Sequence, residues 1–244
     1  MTAHHPITDA PPVAVVTGAS QGLGHALAHA LAERGWSLVL DARRGDRLAA
    51  ATDGLPGGPH PAVAGDVADP AHRRELADVA AELGGARLLV NNASTLGASP
   101  LPPFADLDAT TYLRLLEVNL VAPLALTAAL LPQLRRHAGV VLNLSSDAAV
   151  EAYETWGGYG SAKAGLDHAS RVLAAEEPRL RVYAVDPGDM RTQMHQDAFP
   201  GEDISDRPLP ATVVPALLGL LDGGLPGGRY RVADLASVVA PVPA

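Results

Sequence analysis

The chain has no cysteine among its 244 residues. Disulfides, thiolate metal sites and cysteine nucleophiles are therefore excluded together, which fits a cytoplasmic protein. Aromatic residues make up 4%, so Ala, Leu, Val and Gly must do most of the packing. Basic runs are missing too. Arg43-Arg44, Arg73-Arg74 and Arg135-Arg136 are isolated pairs, and the net charge is −9. Nucleic acid and anionic membrane surfaces are not expected partners of such a chain. No uninterrupted apolar run reaches about 18 residues, so no transmembrane span is expected. The first residues lack a charged stretch followed by an apolar one, so no signal peptide is expected. Residues 1–11 read as a flexible tail. His4-His5 within it would hold metal only adventitiously, and no metal site is expected.

Lysine is nearly absent as well. Lys163 is the only one, and the other 17 of the 18 Lys+Arg residues are arginine. Guanidinium is larger than ammonium, planar and permanently charged, so it cannot replace a compact ammonium beside a ligand or an acid. The spared lysine follows Tyr159 by four residues. On a helix these positions share a face. A cation within about 4–6 Å lowers an acidic pKa by about 1–3 units. The phenol is thus expected to move down from about 10 towards neutral pH, where it can exchange protons. Taken alone, Tyr-x-x-x-Lys is also compatible with a chance surface pair.

What is present is a globular composition, 48% hydrophobic and 18% charged. Short buried-type strands alternate with helical patterns. Strands are expected at 12–17, 36–42, 62–65, 86–90, 139–146, 180–186 and 230–232. Helices are expected at 25–34, 71–83, 106–137, 159–176 and 211–221. This alternation implies an α/β fold: a single Rossmann-type doubly wound parallel sheet of about seven strands with helices on both faces. One domain is expected over 12–235, with a lid-like segment at 189–210 and a C-terminal tail at 236–244. The polar residues of the lid (Arg191, His195, Asp197, Glu202, Asp203) would suit a polar substrate or be plain solvated charge.

The first strand runs into Gly18-Ala19-Ser20-Gln21-Gly22-Leu23-Gly24 and then a helix. Such glycines let the backbone turn tightly and approach a pyrophosphate. The helix N-terminus adds free N–H groups and partial positive charge. The second strand ends in Asp41-Ala42-Arg43-Arg44. An acid at this strand end favours NAD by binding the ribose 2′-hydroxyl, and an arginine favours NADP by binding the 2′-phosphate. Strand register decides which residue faces the ligand. Asp66 could accept from an adenine amino group or simply be a loop acid beside a helix. Asn91 and Asn92 close the fourth strand, where two carboxamides would face the ligand crevice. Asn119 sits among leucines inside a helix, an intrinsically unfavourable place, either with a role or bonded back to its own backbone.

Thr17-Gly18-x-x-x-Gly22-x-Gly24, Asn91-Asn92-Ala93, Asn119, Ser146 and Tyr159-x-x-x-Lys163 together resemble the short-chain dehydrogenase/reductase family, over about residues 12–235. The resemblance implies an NAD(P)-dependent oxidoreductase acting on a small carbonyl or alcohol, assembled as a homodimer or homotetramer. It implies Tyr159 as general acid or base, Ser146 holding the substrate oxygen, Lys163 on the nicotinamide ribose and Asn119 in a proton path. It further implies cofactor contacts from the glycine turn (Gly18, Ser20, Gln21, Gly22, Leu23, Gly24), Asp66 and Val67, Asn92 and Ala93, Pro187 and Gly188, and Thr192. Gln21 departs from the basic or small residue common in that turn and removes one phosphate contact. The family's discriminating acid falls at Ala42, while Arg43, followed by Arg44, falls where NADP-preferring members place arginine. NADP(H) is thus favoured over NAD(H). The alternatives are an NAD-dependent alcohol dehydrogenase using Asp41 and, further off, a non-catalytic dinucleotide sensor.

Overall fold

A computed structural model describes residues 10–223 and 225–235. Seven parallel strands form one sheet: β1 (Val13–Val16), β2 (Ser37–Ala42), β3 (Ala62–Ala64), β4 (Ala86–Asn91), β5 (Val140–Leu144), β6 (Arg181–Asp186) and β7 (Gly228–Arg231). Their order is β3-β2-β1-β4-β5-β6-β7. Each consecutive pair is joined through helix: α1 (Gly22–Glu33), α2 (Gly45–Thr52), α3 (Pro70–Glu82), α4 (Ala109–Leu116), α5 (Ala122–His137), α6 (Gly157–Glu176), α7 (Gln193–Ala198) and α8 (Val214–Leu221). A short α9 (Val232–Leu235) follows β7. Where the sequence suggests that the last strand continues through Val232, the chain instead turns into this helix.

Alternating strand residues feed two cores. Ala14, Val16, Leu38, Leu40, Leu88, Val90, Leu142 and Val185 pack with Leu27 and Leu31 of α1 and Leu217 and Leu220 of α8. Val13, Val15, Val39, Leu89, Val141 and Val182 pack with Leu76 of α3 and Leu126, Leu130 and Leu134 of α5. The sheet is buried on both faces, as a parallel sheet must be. Strand order reverses direction between β1 and β4, and the crevice beyond their carboxyl ends is where such sheets bind ligands.

Local chemistry explains the helix starts. Asp69 accepts from Ala71 N at 2.8 Å with Pro70 at the first position. Asp108, not Asp106, caps α4 through Thr111 N at 2.8 Å. The expected single helix from 106 to 137 is interrupted by a π turn at Glu117–Val121. An 18-residue window within 109–137 reaches a mean hydropathy of 1.7, and the run lies against the sheet and α6. α2 carries one buried residue, Leu48, so its sequence has no apolar stripe to announce it. Of the expected tails at 1–11 and 236–244, residues 1–9 and 236–244 lie outside the described residues.

Candidate active site

β1 ends in a turn that only glycine tolerates. Gly18 and Gly22 have φ of 66° and 59°, in the left-handed region. A side chain on Gly18 would start 2.9 Å from Asn92 Nδ2 and 3.0 Å from Ala93 Cα. That closeness is used: Asn92 Nδ2 donates to the carbonyls of Thr17 and Gly18 at 2.9 and 3.1 Å. The Thr17 hydroxyl accepts from Asn92 N and Ala93 N, both at 3.0 Å. β1 and β4 are thereby laced together at the crevice. α1 begins here without a side-chain cap from Gln21, so its first N–H groups are left for an anion. The Gln21 amide accepts from Arg47 instead, at 3.2 Å. Asn91 does not face the crevice as expected. It is buried, donating to Asn143 Oδ1 at 2.7 Å across the strand pair.

Strand register settles the fate of Asp41. Its carboxylate is 2% exposed and turns towards α3, where Oδ1 lies 2.6 Å from His72 Nε2. Burial pushes its carboxyl up, with the His72 hydrogen bond pulling the other way. Asp41 in turn raises the imidazole. The neighbouring Arg43 is exposed and lines a cavity of about 320 Å³ with Asp41 itself, Asp66, Val67, Ala93 and Arg114. Arg44 does not join it and pairs with Asp46 at 2.7 Å. Burial alone would raise Asp66, but the Ala68 N–H and Arg114 hold it below the ordinary carboxylate range. Arg114, paired with Asp66, was not foreseen. Only the topology brings α4 to the end of β3.

A second cavity of about 620 Å³ is lined by Gly18, Gln21, Gly22, Leu23, Asn92, Ser146, Tyr159, Lys163, Pro187, Gly188 and Thr192. Segment 189–210 contributes α7, with Met194 and His195 in the cavity wall, and Thr192 caps that helix through His195 N at 3.2 Å. Ser20, Gly24, Arg44 and Asn119 line neither cavity. Gly24 acts from below, because a Cβ there would collide with Asn92 Nδ2 and the Gly18 carbonyl.

Tyr159 and Lys163 share the buried face of α6, 7% and 2% exposed. Lys163 Nζ lies 5.5 Å from the Tyr159 ring centroid and donates to the Leu144 carbonyl at 2.8 Å. Trp156 meets the phenol ring edge-on at 5.6 Å. The expectation of an acidified phenol is overturned. Burial pushes Tyr159 up to about 12, with the Ser94 and Ser146 hydroxyls lowering it and Asp147 and Asp186 raising it. The ammonium lies over the ring, and desolvation dominates the shift of the phenol. The same burial pushes Lys163 down to about 8, partly offset by Asp167.

Ser146 Oγ donates to Asp147 Oδ1 at 3.0 Å and accepts from Ala148 N at 3.2 Å. Asn119 is fully buried and spends its amide on the loop after β4. Its Nδ2 donates to Thr95 O at 2.7 Å, and its Oδ1 accepts from Thr95 N at 2.8 Å and Ser94 Oγ at 3.2 Å. Ser94, whose hydroxyl helps lower the phenol, is therefore held by Asn119. It follows directly on Asn91-Asn92-Ala93, a position the motif could have suggested.

A family model described as short chain dehydrogenase matches residues 12–203. Sepiapterin reductase of Xenopus laevis is 36% identical over 206 residues, 75% of this chain and 75% of its own length. D-threitol dehydrogenase of Mycolicibacterium smegmatis is 35% identical over 196 residues, 78% of this chain and 74% of its own. An alcohol dehydrogenase from Thermococcus sibiricus, solved with 5-hydroxy-NADP, superimposes with a TM-score of 0.80 at 28% identity, covering 90% of this chain and 95% of that one. The glycine turn, the seven-strand order and these likenesses agree, and the chain belongs to the short-chain dehydrogenase family of oxidoreductases.

Proposed function

We propose that this oxidoreductase uses NADP(H) and that Tyr159 exchanges the proton with a carbonyl or alcohol oxygen. The observation that carries this reading is the convergence of Ser146, Tyr159 and Lys163 on the cavity into which the glycine turn opens. The residues present fit a nicotinamide dinucleotide. Gly18 and Gly22 hold the turn at positive φ, and the uncapped start of α1 offers N–H donors to a pyrophosphate. Asp66 and Val67 would hold the adenine end, Thr192 the carboxamide and Lys163 the ribose. When bound, the nicotinamide supplies or accepts the hydride.

The chain's own groups handle the oxygen and the proton. Burial keeps the Tyr159 phenol protonated through the neutral range, the form that donates to a carbonyl oxygen. Ser146 and Tyr159 would fix the carbonyl oxygen from two sides, positioning that lowers the barrier without new bonds. Asn119 sets the Ser94 loop against the phenol. Trp156 and segment 189–210 limit water. Asp41 and Arg43 line the same cavity, but Asp41 is buried and committed to His72 whereas Arg43 is exposed, which supports NADP(H) over NAD(H). Exposed Leu113, Val121 and Leu124 along α4, the π turn and α5 support assembly with further copies, testable by solution scattering.

The decisive variant is Tyr159→Phe. It should keep NADPH affinity within about twofold while turnover of carbonyl substrates falls by about 10²–10⁴. Undiminished turnover would refute the assignment.

A further inference from the structure

Asp167 stands one helical turn beyond Lys163 and two beyond Tyr159, on the same buried face of α6. Its Oδ2 accepts from Arg229 Nε at 2.8 Å, while Oδ1 is buried without a hydrogen-bond partner. Arg229 reaches in from β7, and its Nη2 donates to the Ser146 carbonyl at 3.0 Å. One guanidinium therefore ties the peptide presenting the Ser146 hydroxyl to the helix presenting Tyr159 and Lys163.

Lys163 needs such support. Its ammonium is buried, and its hydrogen-bond acceptor is a neutral carbonyl, Leu144 O. Burying an ammonium favours its uncharged form unless a counter-charge is near. The charged and titratable groups that share its cavity or act on its neighbours are Tyr159 and Asp167 on α6, Asp147 after β5, Asp186 at the end of β6, Asp189, Arg191 and His195 of segment 189–210, and Arg229 and Arg231 on β7. Asp147 and Asp186 act on the phenol, and Arg229 and Arg231 act on Asp186. Asp167 is the carboxylate that acts on Lys163. Arg229 holds one of its oxygens and sets how much negative charge remains for the ammonium.

We propose that Asp167 and Arg229 are positioning residues: Asp167 keeps Lys163 an ammonium, and Arg229 moderates that charge while holding the Ser146 peptide in register with α6. The proposal rests on the reading of Lys163 given above, but its test needs neither cofactor nor substrate.

Because the chain has one lysine, protein grown with ¹³C-lysine gives one Cε resonance, and its pH titration reads Lys163 alone. Asp167→Asn should lower the midpoint by about one unit, since Arg229 is left unopposed. Arg229→Met should raise it, since Asp167 is then unshared. Asp167→Glu should return it towards wild type. The pH profile of NADPH oxidation in Asp167→Asn should move in the same direction as the resonance. Two shifts of one sign, or no shift in folded variants, would overturn the proposal. Should Arg229→Met fail to fold, Arg229→Lys in a chain labelled at lysine shows two resonances, and a Lys163 midpoint near the wild-type value is then required. Failure of the enzyme reading would show separately, as full turnover by Tyr159→Phe with these titrations unchanged.

Discussion

Asp41 Oδ1 and His72 Nε2 lie 2.6 Å apart, both side chains buried behind the glycine turn. The pair joins β2 to α3 and engages the carboxylate of Asp41, which lines the smaller cavity beside Arg43. Removing one member of a buried pair costs about 3–5 kcal/mol, whereas replacing both with apolar groups is often neutral. His72→Leu should therefore lower unfolding free energy by about 3 kcal/mol or more in urea titrations at neutral pH. Asp41→Leu in the same chain should recover much of the loss. A double variant as unstable as the single one would contradict this account of the pair.

Arg43 is exposed at the rim of the smaller cavity. A hydrogen-bonded charge of this kind contributes about 1.5–3 kcal/mol. Arg43→Ala should weaken NADPH binding by about 10- to 100-fold and leave NADH nearly unchanged. Arg44→Ala, which loses its pairing with Asp46 at the start of α2, should change neither. Calorimetric titration of the two dinucleotides reads the difference.

Lys163 has a pKa of about 8 in the folded chain against an ordinary 10.5. Between those values the unfolded chain binds more protons, so stability must rise with pH there. Below about pH 8 the full burden of a buried ammonium is present. At 1.36 kcal/mol per unit it is roughly 3 kcal/mol. Lys163→Met should accordingly be more stable than wild type at pH 7, lack the rise above pH 8, and be inactive. Thermal unfolding across pH 7–10 measures all but the last.

Gly160 sits where α6 crosses the turn after β5. A Cβ there would collide with the Ala148 carbonyl, two residues from Ser146. Gly160→Ala should push that turn away from Tyr159, cutting turnover at least tenfold and stability by about 1–3 kcal/mol. Activity equal to wild type would mean that the turn is free to yield.

Much of this was readable in the residues because it is local. The glycine spacing marked the β1–α1 turn, and the interval from Ser146 to Tyr159 and Lys163 marked the larger cavity. What escaped depends on distant partners. Asp41 turns inward because His72 waits 31 residues away. Arg114 meets Asp66 because β3 and α4 end side by side. α2 buries only Leu48, so no periodicity announces it. The expected acidified phenol failed for a different reason. Spacing places the ammonium on the correct face, but it says nothing of the loss of water that pushes the phenol the other way.

The π turn at Glu117–Val121 holds one residue more per hydrogen-bonded ring than the helices on either side. Deleting a residue there would yield a smoother rod and rotate α4 by about 100° against α5. Arg114 would swing off Asp66, and Asn119 would lose its grip on Thr95. The irregular winding is thus a spacer, keeping the Arg114 wall of the smaller cavity and the Asn119 floor beneath the phenol at a fixed angle to one another.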